Sequence, residues 1–568
     1  MFASKKYSII ILFFSLIQSS SFAQLSISSP LNRSVFQRNA NNNATIIITG
    51  SCTQNVDKIQ ARFITITEDA TTNWQTISSN PVSGIFSGSM ILKGGWYKLE
   101  VQSLSGTKVI ATAQVEKVGV GEVFVIAGQS NAGAGNIYDN FRDYGLYPAS
   151  DDRVNTIVFN EIDGVDNNKP DNSFNYPSLE FKQINYGTVG PRGTTPWCWG
   201  ILGDSLVKRL GVPVMFFNTG WAGTSVRNWS ESAMSGITQS DFGAFYSSET
   251  PYGHLKAVLN QYCSYLGIRA VLWIQGEADN FTGKLSKDSP NGTMDAYAYA
   301  LRLKQIIEKS RANTGKNITW VIARTSLCPQ GFTCDAPQLA SQRVIDGQNA
   351  VINLANFQVF AGPATDEIQV PRAERGSCVH FTGTGFIDLA NAWNIALSTS
   401  FFNSSIANTG YLPSIIPKYS NRSNQIELSF ADQYSSYLWS NGATSATISA
   451  GNGVYSCKVT DSFGNSYTQA ITLTLPAPLG INTNIGANND IIIYQNPSLT
   501  GLVTLIVPEN LGESTVIITD LQGRILDNFQ FLGLNEPLTI DLRNKTQKAF
   551  LIKVSSANFE QTKKVILE

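Results

Sequence analysis

Five apolar runs that alternate with amphipathic stretches predict a central three-layer α/β/α domain built on a five-stranded parallel sheet. Short strand-like segments broken by Asn, Gly and Pro clusters predict flanking β-sandwich domains. At 568 residues the chain exceeds the usual size of one core, so a multidomain protein is expected. The runs are Val123–Ala127, Val212–Phe217, Ala270–Ile274, Ile318–Ala323 and Phe357–Ala361. Strands covered by helices on both faces read as such near-continuous hydrophobic segments. Helices are expected at Ile201–Leu210, His254–Tyr265, Met294–Ser310 and Leu339–Leu354, and a last one at Gly385–Leu397.

The chain divides as follows. Lys5 and Lys6 precede an apolar run from Ile9 to Ile17, and Ser21-Phe22-Ala23 supplies the small residues a signal peptidase reads. That run is too short to span a bilayer, so residues 1–23 read as a signal peptide and the protein as secreted or held at the cell surface. Residues 24–117 read as an N-terminal β-sandwich, with strands such as Ala44–Thr49 and Trp96–Val101. Residues 118–402 form the α/β domain, its texture changing at Glu122. Residues 413–476 return to β, and residues 486–568 form a last β domain beyond the Pro-rich joint Leu475-Pro476-Ala477-Pro478.

The formal charge is −1 with no basic block, which argues against nucleic acid or an anionic membrane as a partner. No later segment has the length of a membrane span. Seven cysteines in an oxidising compartment permit disulfides, and Cys328 and Cys334 flank a short loop that a bridge would close. With two histidines, His254 and His380, and no HExxH or paired CxxC pattern, no metal or other cofactor is expected.

The first apolar run ends in Gly128-Gln129-Ser130-Asn131. In open α/β sheets ligands bind at the carboxyl ends of the strands. A serine there, at the start of a helix, exposes its hydroxyl beside backbone N–H groups able to hold an oxyanion. Ser is also a favoured N-cap residue, so this block alone is weak. Ala132 stands where a G-x-S-x-G elbow needs its second glycine, which argues against an α/β-hydrolase.

The string GEVFVIAGQSNAGAGN resembles the first block of the SGNH hydrolases, and within them the sialate O-acetylesterase and acetylxylan esterase branch. Three further blocks follow in the family's order. Asn218-Thr219-Gly220-Trp221-Ala222-Gly223-Thr224-Ser225 is similar to its GGTS segment, Trp273-Ile274-Gln275-Gly276-Glu277-Ala278-Asp279 to its WxQGExD, and His380-Phe381-Thr382-Gly383-Thr384-Gly385 to its HFSxxG. The resemblance covers residues 118–402. It implies a serine carboxylic-ester hydrolase with Ser130 as nucleophile and His380 as general base. It further implies an oxyanion hole formed by the backbone N–H groups of Ser130 and Gly223 and the amide of Gln275. The family's orienting Asp stands three residues before the His; here Ser377 is in that place, and Asp366 and Glu374 are the nearest substitutes. A displaced acid, a Ser–His dyad and a weakened enzyme all remain open.

Two C-terminal resemblances concern export. The segment from Tyr437 to Tyr467 is similar to immunoglobulin-like repeats of bacterial surface proteins. The pieces Tyr494–Ser498, Val516–Arg524 and Lys563–Ile566 resemble the type IX secretion sorting domain, although Gln495 and Ala549-Phe550-Leu551 depart from its pattern. The partners implied are therefore an acetylated glycan and the type IX secretion machinery. Two rival readings stand beside the esterase: a non-catalytic carbohydrate-binding surface protein with a decayed esterase domain, and a glycosidase using Glu277 and Asp279. Trp221 and Arg227 offer aromatic and cationic groups for a sugar, and His254, opening a helix, reads as structural.

Overall fold

A computed structural model describes residues 25–567, apart from 67–70, 134–146, 161–175, 186–187, 194, 241–245, 247, 282–294, 330–335, 373–377, 420–424, 476–490, 495, 499–500, 508–510 and 534–537. The expected signal peptide, Cys334, Glu374, Ser377 and most of the Pro-rich joint lie outside the described residues. Two compact units divide the chain at Pro476.

The centre of the first unit is a sheet whose strands we number β1 (Lys108–Gly128), β2 (Val154–Ile157), β3 (Phe181–Gln183), β4 (Val214–Asn218), β5 (Ala270–Ile274), β6 (Trp320–Arg324) and β7 (Val359–Ala364), in the spatial order β3-β2-β4-β1-β5-β6-β7. All five expected runs are strands of this sheet. The parallel part has six strands rather than five, because β2 also pairs parallel to β4, and β3 adds an antiparallel edge. The strand missed in the sequence, Val-Asn-Thr-Ile, is four residues long and half polar, so it shows no apolar run. Its Asn155 is buried but accepts a hydrogen bond from Arg33 Nε at 2.8 Å.

Alternation along the strands sorts side chains between two cores, since successive residues point to opposite faces. Val123, Val125, Ala127, Trp273 and Ile322 pack on one face with helices α2 (Val226–Ser235), α3 (Tyr252–Ala257), α4 (Ala296–Thr314) and α5 (Gln342–Ile352). Phe124, Ile126, Phe216, Leu272 and Val321 pack on the other with α1 (Trp199–Leu210) and α6 (Gly385–Ala396). The three layers therefore stand.

The boundary expected at residue 117 falls inside a single 21-residue strand, β1. Its first part pairs antiparallel with Gly95–Ser105 and parallel with Ser34–Gln37. From Glu122 onwards it pairs with β4, and from Phe124 with β5. The change in texture at Glu122 thus marks a change of partners within one strand. Further along, Ile415–Tyr419, Ile426–Phe430 and Ile448–Ala450 form one small sheet and Ser436–Trp439, Gly453–Thr460 and Ser466–Leu473 another, around a shared core that includes Trp439 and Cys457. The second unit has a three-stranded and a four-stranded sheet enclosing Val503, Val516, Phe550 and Ile552.

Glu122 is fully buried and accepts from Arg38 at 2.7 Å, Arg269 at 2.7 Å and Gln37 at 2.9 Å, so one carboxylate is shared by two guanidinium groups where β1 changes partners. Removing one member of a buried ion cluster leaves the others uncompensated, at a cost of about 3–5 kcal/mol. Glu122→Ala is expected to lower the unfolding midpoint of the first unit accordingly. An unchanged midpoint in denaturant titration would show that the cluster contributes nothing.

Candidate active site

Strand β1 delivers Gly128-Gln129-Ser130 to the carboxyl edge of the sheet. Gly128 sits at φ +134°, and a Cβ there would run into the Ile274 carbonyl of β5, so only glycine lets the two strand ends approach this closely. Ser130 opens a single 3₁₀ turn, Ser130–Ala132, not the α-helix the sequence led us to expect. The loop after β4 closes over this turn: Asn218 Nδ2 donates to Ala132 O at 2.7 Å and Trp221 N to Gly128 O at 2.9 Å. Gly223 lies in that loop at φ +70°. Among the described residues neither the Ser130 nor the Gly223 backbone N–H takes up a hydrogen bond, the condition an oxyanion donor must meet.

Gln275 is placed differently from its expected role. It is fully buried, and its two amide hydrogens face three acceptors: Gln129 Oε1 at 3.2 Å, Thr224 O at 3.1 Å and an Asp279 carboxylate oxygen. Its Oε1 accepts from the Tyr299 hydroxyl at 3.0 Å. With its donors committed, Gln275 ties the block-three turn to the other two loops instead of offering an N–H to substrate. Gln129 completes the tie, accepting from Ala278 N at 3.1 Å.

The residue after Ser130 is tied to the residue before His380. Asn131 Nδ2 donates to Val379 O at 3.1 Å and to Glu277 Oε1 at 2.6 Å. The fully buried Arg372 donates to the same Val379 O at 2.8 Å and to Thr365 O at 2.9 Å. Its guanidinium also lies 4.1 Å from the Phe381 ring centroid, so Arg372 grips the residues on both sides of His380. Glu277, 3.9 Å from Arg372, supplies the countercharge; burial raises its pKa and the Arg372 charge opposes that rise. Burial, reinforced by the Arg372 charge, pushes the His380 imidazole down to about 3.

The remaining candidates take structural places. Asp366 receives Ser326 N and Oγ at 2.7 and 2.6 Å and Leu327 N at 2.8 Å, which commits both carboxylate oxygens to the turn after β6. Glu374 lies outside the described residues. Asp279 accepts Val226 N at 3.1 Å at the start of α2. Buried and tied in this way, Glu277 and Asp279 are not the open acid and base of a glycosidase. Arg227 pairs with Glu231 at 2.8 Å and is buried. His254 receives or donates a 2.7 Å hydrogen bond with Tyr176 and stacks 5.0 Å from Trp221. Cys328 is a free, buried thiol and so does not close the loop it flanks; among the described residues Cys378, two residues before His380, is disulfide-bonded.

Residues 120–391 match the model of a carbohydrate esterase family, described as sialic acid-specific acetylesterase. The match spans all four sequence blocks and supports an esterase. Among solved structures, a carbohydrate acetylesterase from Xanthomonas citri is 15% identical, with a TM-score of 0.38, covering 79% of this chain and 98% of that one. A protein from Arabidopsis thaliana is 14% identical, with a TM-score of 0.30 and coverages of 50% and 98%. A lipase/acylhydrolase from Enterococcus faecalis is 13% identical, with a TM-score of 0.23 and coverages of 37% and 89%. These likenesses are too loose to carry an argument. No curated protein matches the chain.

The family blocks left two residues of this site unremarked. Asn131 was visible only as the last letter of GQSN, and Arg372 only as one of many arginines. Arg192, stacked 4.0 Å over the Trp221 ring, is a third group the sequence did not single out. Asn131→Ala removes one of two donors that hold Val379, and a misplacement of about 1 Å can cost about 10²-fold in rate. We expect kcat to fall about 10- to 100-fold with KM little changed. Steady-state kinetics showing kcat within twofold of the parent would remove Asn131 from the positioning network.

Proposed function

We propose that the protein is a secreted carbohydrate O-acetylesterase, similar to sialate O-acetylesterases, that forms an acetyl-enzyme on Ser130 with His380 as general base. The observation that carries the reading is the Asn131–Val379 hydrogen bond of 3.1 Å, which joins the residue after Ser130 to the residue before His380. The neutral imidazole takes the Ser130 proton as Oγ attacks the acetyl carbonyl. The backbone N–H groups of Ser130 and Gly223 hold the resulting oxyanion, each such donor being worth about 10²–10³ in rate. Collapse expels the sugar alkoxide, to which His380 returns the proton. Water, deprotonated by the same imidazole, then attacks the acetyl-enzyme and releases acetate.

With Asp366 engaged at Ser326 and Leu327, the reading favours a Ser–His dyad among the described residues, oriented by the main chain that Arg372 and Asn131 hold. Arg372 disfavours imidazolium, and the negative charge that develops on the oxyanion opposes it when the proton is needed. The C-terminal unit is proposed to be the type IX sorting domain and to take no part in the chemistry.

The test is acetate release from p-nitrophenyl acetate and from acetylated glycans by the parent and by Ser130→Ala, read across pH. The variant is expected to lose about three or more orders of magnitude. Because the base works in its neutral form and its folded pKa is depressed, kcat/KM of the parent should hold as pH falls through 6.5 and decline only on approach to about 3. Equal rates in the two proteins would overturn the serine mechanism. An acid limb near 6.5 would show that the imidazole titrates at its ordinary value and that burial and Arg372 do not depress it.

A further inference from the structure

A second candidate site lies away from the ester-cleaving loops. A cavity of about 500 Å³ opens where Ser28–Leu31, the segment Tyr176–Leu179, the helical segment Gln261–Tyr265 and the strand carrying Ser466–Ala470 meet, all within the first unit. Its lining includes none of the Ser130, Gly223, Gln275 or His380 loops. The volume falls in the range of small-molecule sites, about 300–1,000 Å³.

The lining has the chemistry of a sugar site. Four tyrosines contribute to it: Tyr176, Tyr262, Tyr265 and Tyr467. Three of their hydroxyls are tied down: Tyr176 to His254 at 2.7 Å, Tyr262 to Pro177 O at 3.2 Å, and Tyr265 to Ser29 at 3.0 Å. Tyr262, Tyr265 and Tyr467 are buried and form a fixed wall, while the half-buried Tyr176 is the ring placed to lie against the C–H face of a pyranose at little entropic cost. Between the rings stand amides and hydroxyls, Gln261, Gln469 and Thr468 among them. Among the described residues the one charged side chain in the lining is Lys458, and no carboxylate lines it. Burial holds the Lys458 amine below its usual range. A purely apolar ligand would strand these polar groups, whereas a saccharide satisfies them along its hydroxyls.

We propose that this cavity is a saccharide-binding subsite for an unesterified sugar unit of the glycan whose acetyl group is cleaved at Ser130. The choice of ligand rests on the esterase reading; the site itself rests on the lining. Tyr176 relates the two places: its hydroxyl meets His254, whose ring stacks 5.0 Å from Trp221, whose N–H donates to Gly128 O beside the nucleophile turn. A glycan anchored at the cavity would raise the local concentration of its acetyl groups at the ester site. A small ester would gain nothing.

Ala470 and Thr468 line the cavity yet are exposed, so Ala470→Trp and Thr468→Trp fill it without removing a core side chain. Binding of N-acetylneuraminic acid and of xylotetraose to the full chain is measured by calorimetry, alongside p-nitrophenyl acetate hydrolysis and thermal unfolding of the same samples. The parent and Ser130→Ala are expected to bind at least one of the two sugars equally well. Each tryptophan variant is expected to bind that sugar at least tenfold more weakly while hydrolysing p-nitrophenyl acetate within twofold of the parent. Two independent blocks guard against one that fails to fold. Undiminished binding in the folded variants, or no binding of either sugar to the parent, overturns the subsite. Loss of p-nitrophenyl acetate hydrolysis in the parent bears instead on the esterase reading.

Discussion

The Val379 carbonyl oxygen accepts two hydrogen bonds, from Asn131 at 3.1 Å and from Arg372 at 2.8 Å, and the geometry of the site follows from that shared acceptor. One donor belongs to the turn that carries Ser130. The other is a buried cation whose charge must be compensated, and Glu277 provides the compensation while also accepting from Asn131. The turn that carries Ser130 and the segment that carries His380, distant in the chain, are thereby tied to one atom. The arrangement does not need a carboxylate on the imidazole to fix its backbone. It leaves the ring's protonation to local electrostatics.

The electrostatics around His380 oppose its protonation. Arg372 lies against Phe381 and close to His380, so burial and a positive charge act in the same direction on the imidazole. The neutral form, the one that accepts a proton, is favoured, but its basicity is low, which limits the driving force for deprotonating Ser130. Asp366, one of the two acids the sequence offered, is committed to Ser326 and Leu327.

Much of this was legible in the sequence, for identifiable reasons. Strands β1, β4 and β5 are long and apolar, so the blocks at Ser130, Asn218 and Gln275 could be placed at the carboxyl edge of one sheet. Strand β2 was not legible because Asn155 and Thr156 are polar and are buried through tertiary partners that no local pattern reveals. The boundary near residue 117 was placed by composition, and composition changes along β1 although its backbone does not break. Gln275 was assigned by position in a motif, yet the direction of an amide depends on which acceptors surround it. Here Thr224, Gln129 and Asp279 claim it. Arg372 was invisible because a buried arginine has the same letter as an exposed one.

In the mechanism we propose, Ser130 is a nucleophile activated by His380. The most direct measurement is reaction of the parent and of His380→Ala with a fluorophosphonate, followed by peptide mass spectrometry. The account predicts a single adduct on the peptide carrying Ser130 in the parent, and a rate of labelling reduced by about two or more orders of magnitude in the variant. An adduct on another serine, or labelling of Ser130 at the same rate without His380, would contradict it.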